Sequence, residues 1–145
     1  MNRDIKFRGK QINTKKWVYG YLYREKGLYL ICENIRYAKA EPIILDTVGQ
    51  YIGLHDKNGK GIYEGDIVTG IDYPFIDEGK QSYVGIVAFY DDVAQFGYEY
   101  KCVKKNKRGI SNGINNEFKA NENLICEDLE VIGNIYDNPE LLEGE

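Results

Sequence analysis

Histidine and serine are almost missing from this chain. His55 is the single histidine, and Ser82 and Ser111 are the two serines. A histidine relay or an activated hydroxyl would have to be assembled from these three residues. Neither serine lies in a Gly-x-Ser-x-Gly elbow, and His55 reads as a solvated residue beside a turn. Cysteine is sparse too: Cys32, Cys102 and Cys126 are far apart, with no Cys-x-x-Cys pair. That excludes a zinc ligand set and points to reduced thiols in a cytoplasm. No apolar run approaches the roughly 20 residues of a membrane span, so no membrane partner is expected. The basic N-terminal stretch has no apolar segment behind it, which points away from secretion. Neither Gly-x-x-x-x-Gly-Lys-Ser/Thr nor Gly-x-Gly-x-x-Gly occurs, so no nucleotide cradle and no cofactor are expected. An enzyme is not expected either, because no residue set meets the geometric requirements of a catalytic site.

What is present is tyrosine, glycine and charge. Thirteen tyrosines stand against five phenylalanines and one tryptophan. Tyrosine suits half-buried strands, with the ring on the core and the hydroxyl wet. At 145 residues and 43% hydrophobic content, the chain is long enough to bury a core without metal or disulfide. Net charge is −4, but it is blocked. Residues 1–40 carry +7, 41–99 carry −8, 100–120 carry +5 and 121–145 carry −8. Alternating blocks suit complementarity within the chain or between subunits.

The densest punctuation runs from Gln50 to Val68. Asn58-Gly59 predicts a two-residue hairpin turn with positive φ at both positions. Glu64-Gly65-Asp66 then predicts a turn feeding a strand. Thr69 to Ser82 reads as a wide loop, and Tyr83 to Tyr90 as a strand. Gly-Asp-x-Val, a long loop and Gly-x-Val-x-Phe together suggest a small SH3-like barrel whose bends the glycines permit.

Before this stretch, residues 3–8 read as a short edge strand. Trp17 to Tyr23 forms a second, with Trp17, Tyr19, Tyr21 and Tyr23 on one face. Leu28 to Cys32 returns as a third. Tyr37 to Pro42 reads as a connector. Beyond it, Val93 to Val103 is strand-like, Lys104 to Asn116 a basic loop, and Asn121 to Leu129 room for a helical turn. Glu130 to Tyr136 is the last strand, and Asn138-Pro139 opens a short C-terminal helix. The fold class is mainly β: an antiparallel meander over 1–48 and a barrel-like part over 49–145, within one domain.

Two clusters bear on function. Glu64 and Asp66, two apart, could chelate a hard cation or act as an acid/base pair, or Asp66 could bond its own turn backbone. Tyr98, Tyr100, Lys101, Lys104, Lys105, Lys107 and Arg108 mix rings with cations, a mixture that suits single-stranded nucleic acid and equally a solvated loop.

Four pieces carry a family resemblance: Ile5-Lys6-Phe7-Arg8, Gln50 to Gly59, Ile62 to Val68, and Val131 to Leu142. Together they resemble the YopX family of phage and prophage proteins. Gly9-Lys10 departs from the Ala-Trp usual in that family's opening. The resemblance implies a mostly β fold with a barrel-like part, self-association and a phage setting, and it offers no catalytic residue. The leading expectation is therefore a non-enzymatic accessory protein acting as a homo-oligomer and on an unknown protein partner. The alternative is a nucleic-acid-binding module.

Overall fold

The computed structural model describes residues 2–33, 39–72, 81–92, 94–102, 112–115 and 129–143, with 71–72, 81–83, 99–102 and 112–115 given by backbone alone. The chain divides into two compact units, Met1–Gly53 and Leu54–Glu145.

The first unit is an antiparallel sheet. Its strands are β1 (Phe7–Lys10), β2 (Trp17–Glu25), β3 (Leu28–Cys32), β4 (Ala40–Pro42) and β5 (Gly49–His55), ordered β4-β3-β2-β1-β5. The expected meander is there. However, β1 is not an edge strand: Phe7 and Arg8 pair with Gly20 and Tyr19 on one side and with Gln50 and Gly49 on the other. The edge is instead β4, where a connector was expected. Pro42 is tolerated there because an edge strand can spare one donor.

Strand β2 changes partner halfway. Residues 17–20 pair with β1 and residues 21–25 with β3. Gly20 sits at the handover with φ +151°, and a Cβ there would lie 2.2 Å from the Cys32 carbonyl oxygen. Only glycine fits so close to a neighbouring backbone. Ile31, Cys32, Ile43 and Tyr51 are this unit's buried hydrophobic residues. Ile43 to Val48, read as strand or loop, is one isolated bridge at Ile43 and a single 3-10 turn at Leu45–Thr47.

In the second unit the chain leaves the end of β5 and hairpins into β6 (Gly61–Tyr63). There follow β7 (Asp66–Asp72), β8 (Gln81–Tyr90), β9 (Gln95–Cys102), β10 (Asn112–Asn115) and β11 (Glu130–Asn134). These last five form one antiparallel sheet, ordered β10-β9-β8-β7-β11. Ile62, Ile67, Val68, Val87, Leu129 and Val131 make its core. Among the described residues no ladder joins β10 to β11, so the expected SH3-like closure is not seen there. Three further expectations are corrected. The 69–82 loop is shorter, because β7 runs to Asp72 and β8 starts at Gln81. Part of the basic loop is a strand, since Asn112–Asn115 pairs with β9. The C-terminal helix is only a 3-10 turn, Pro139–Leu142, without a side-chain cap. The Asn138 carboxamide faces the Asn134 amide instead, and four residues are too few to propagate an α-helix. The expected helical turn at 121–129 lies almost wholly outside the described residues.

Candidate functional site

The sequence motifs richest in polar side chains prove to be turns that consume those side chains. At Asn58-Gly59 the hairpin is present, but as a longer turn. The Asp56 amide donates to the Lys60 carbonyl at 2.8 Å and the Gly59 amide to the Asp56 carbonyl at 3.0 Å. Positive φ occurs at Gly59 alone, +80°. The Asp56 carboxylate organises this loop. One oxygen accepts the Asn58 and Lys60 amides, each at 2.9 Å, and the other accepts the Val131 amide at 2.9 Å. The Lys57 amide reaches the Leu129 carbonyl at 2.9 Å, and Lys57 Nζ stands 3.0 Å from Glu130. The turn is thus clasped to the start of β11. Burial pushes the Asp56 carboxyl up, but the three amide donors and the Lys60 charge outweigh it, so it lies below the ordinary 3.8.

Of the Glu64/Asp66 pair, Asp66 meets a similar end. Asp66 is 1% exposed, and its carboxylate accepts the Tyr63 amide at 2.8 Å. Gly65, at φ +83°, donates its amide to Val87 and accepts from Ile135 through its carbonyl, at 2.8 and 2.9 Å. The turn around Gly65 is therefore stitched to β8 and to the residue after β11. The closing segment is bound to itself as well. The Asn134 side-chain oxygen accepts the Tyr136 and Asp137 amides, each at 3.0 Å. Among the described residues, no group of three His, Cys, Asp or Glu stands close enough to hold a metal.

Of the predicted basic–aromatic cluster, only Tyr98 has a described side chain. Tyr98 lies in β9 at 2% exposure. Its ring is packed in the core and offers no face to a base, which corrects the expectation for that residue. Tyr100 and Lys101 are placed in β9 by backbone alone, and Lys104, Lys105, Lys107 and Arg108 lie outside the described residues.

A different aromatic–basic surface is formed in the first unit. The turn joining β1 to β2 is closed by the Gln11 amide on the Lys16 carbonyl, 2.9 Å, with Lys15 at φ +60°. It sets Lys10 opposite Trp17 and Arg8 opposite Tyr19. Along β2 the outer positions are tyrosines: Tyr19, Tyr21 and Tyr23 are 42%, 49% and 39% exposed. The positions between them, Val18, Gly20 and Leu22, are half-buried. The alternation persists through the bend at Gly20, so the rings share the outward face. The shared face of these rings is the one the sequence predicts, and it is the more exposed one.

Cations interleave with these rings. Lys10 Nζ stands 5.4 Å from the centroid of Trp17, the Arg8 guanidinium 4.7 Å from the same ring, and Lys6 Nζ 4.6 Å from that of Tyr51. Arg8 is 4% exposed and supports Trp17 from within. Lys6 and Lys10 are half-buried, and Lys15 and Lys16 are exposed at the turn. Carboxylates border this surface too: Glu33 and Glu41, with Lys39, line a hollow shared with Trp17 and Tyr19, and Glu25 lies at the far end of β2. It acts on Tyr23, whose hydroxyl is held above 10.0 by partial burial first, then by Glu25 and Cys32. Tyr23 therefore stays uncharged at neutral pH.

With both units described, the comparisons can be placed. The family model described as "YopX protein" matches residues 6–143. The chain belongs to the YopX family. That span takes in the tyrosine ladder and the clasped turns alike. No curated protein matches the chain. Among solved structures it is similar to the crystal structure of protein EF1440 from Enterococcus faecalis. The identity is 20%, the TM-score 0.50, and the match covers 97% of this chain and 99% of that one. At that identity the likeness concerns the fold of this YopX protein alone. No helix of the described residues is long and apolar enough to cross a membrane.

Proposed function

We propose that this YopX protein is a non-enzymatic binding module of a phage or prophage, and that its ligand is single-stranded nucleic acid held on the outer face of the first unit. The observation that carries the reading is the row Tyr19, Tyr21 and Tyr23, each 39–49% exposed and bordered by Lys6 and Lys10. Exposed rings on a rigid strand stack bases without regard to sequence, and neighbouring ammonium groups follow the phosphates. Of Glu64 and Asp66, the pair that suggested chemistry, Asp66 is buried and accepts a backbone amide. Fluorescence anisotropy with a labelled oligothymidylate at about 50 mM salt tests the reading. Binding that weakens steeply with added salt supports it, and the absence of binding at that salt removes it.

A second reading, self-assembly and capture of a protein partner, is favoured by the alternating charge blocks: the basic 1–40 of one copy would meet the acidic 41–99 of another. Light scattering at micromolar protein decides it. A mass above the monomer that falls with salt supports assembly, and a monomer at every salt concentration counts against it.

A further inference from the structure

Resting on the nucleic-acid reading above, we propose that the first unit selects an extended, unstacked single strand and seats one base against each of Tyr19, Tyr21 and Tyr23. Strand residues rise about 3.3–3.4 Å each, so rings at alternate positions repeat every ~6.7 Å. Bases in a stacked helix repeat every ~3.4 Å. The ring interval is thus about twice the base interval, and a base lying on one tyrosine fills the gap before the next. A strand pulled out until its bases separate keeps step with such a ladder. A duplex, whose bases are locked at the shorter repeat and covered on both faces, does not. The side of the ladder where charge is available also fixes where the backbone runs. Lys10 lies opposite Trp17, Lys6 stands over Tyr51 on the neighbouring strand, and Lys15 and Lys16 close the same hairpin. Phosphates therefore track along the β1 border. The neutral Tyr23 hydroxyl adds no opposing charge.

The experiment measures affinity of the full chain for oligothymidylates of about two to eight nucleotides, for an abasic strand and for a short duplex, at one low salt concentration. The expected result is a steep rise in affinity up to about three or four nucleotides, a shallow rise after that, and duplex and abasic strands bound about tenfold or more weakly. Tyr21→Thr keeps strand propensity and removes the ring. It is expected to lower affinity about tenfold, with Tyr21→Phe near the parent. Circular dichroism melting of both variants confirms that they are folded. Equal affinity for duplex and single strand, or for abasic and base-bearing strands, overturns the stacking ladder while leaving nucleic-acid binding standing. No binding to any strand overturns both.

Discussion

The two units use polar and aromatic residues in opposite ways. In the second, acids and asparagines turn inward onto backbone amides: Asp56 takes three, Asp66 takes the Tyr63 amide, and Asn134 takes two. In the first, tyrosines turn outward from a strand whose alternate positions are half-buried. The stretch that looks most like chemistry is therefore scaffolding. The stretch that looks like plain sheet presents the open surface. A carboxylate accepting several amides is anchored and stabilised in its charged form, and this leaves it poorly placed to act on a ligand. A tyrosine with two fifths of its surface in water is a large apolar payload that the fold leaves uncovered.

Four substitutions test that contrast, beginning with the most damaging. Gly20→Ala drives a Cβ to 2.2 Å from the Cys32 carbonyl oxygen at φ +151°. It should destabilise the first unit by about 3 kcal/mol or more, read as lost thermal stability and a collapsed ladder. Asp56→Ala strips the clasp of its acceptor and leaves the buried end of the Val131 amide unanswered. The expected loss is about 2 kcal/mol in urea denaturation. Gly133→Ala puts a Cβ 2.5 Å from Asn138 Oδ1. Because a side chain can shift where backbone cannot, about 1 kcal/mol is expected. Glu130→Gln removes an ion pair whose two side chains are 44% and 39% exposed. It should change stability by no more than about 0.5 kcal/mol, and less in salt. A result in which Glu130→Gln rivals Asp56→Ala would reverse the assignment of the clasp to the buried carboxylate.

The same carboxylate makes a pH prediction. Its folded-state pKa lies below the ordinary 3.8, so the charged form is the one the fold prefers. Its contribution is complete above that ordinary value and disappears as pH falls through the lower, folded-state value. The stability gap between the parent and Asp56→Ala should therefore be constant near neutrality and close on acidification below about 3.8. A gap that persists unchanged to lower pH would show that packing, not the charged clasp, accounts for Asp56.

Much of the strand pattern is legible locally. Leu28–Cys32 forms over the residues expected, and so, nearly, do β2, β8, β9 and β11. Glycine and asparagine mark where the chain turns because few other residues accept those backbone angles. Several errors share a cause. β1 is internal where the sequence predicts an edge, Pro42 is in a strand where it predicts a connector, and Asn112–Asn115 is a strand where it predicts loop. Each depends on which distant strand lies alongside, and short segments carry no signal for that. At the candidate site the Trp17–Tyr23 alternation was visible, yet Tyr98 was chosen for ligand contact and is buried.

Local chemistry along the chain was enough to decide where it turns, that its elements are strands and that Tyr19, Tyr21 and Tyr23 point the same way, because backbone angles and a two-residue repeat are properties of neighbours. Which way they point was settled only in three dimensions. A repeat distinguishes two faces of a strand without saying which one is covered, and covering depends on residues such as Ile31 and Ile43 brought beneath β1 and β2 from elsewhere in the unit. The same is true of Asp56, whose third amide comes from a residue 75 positions away.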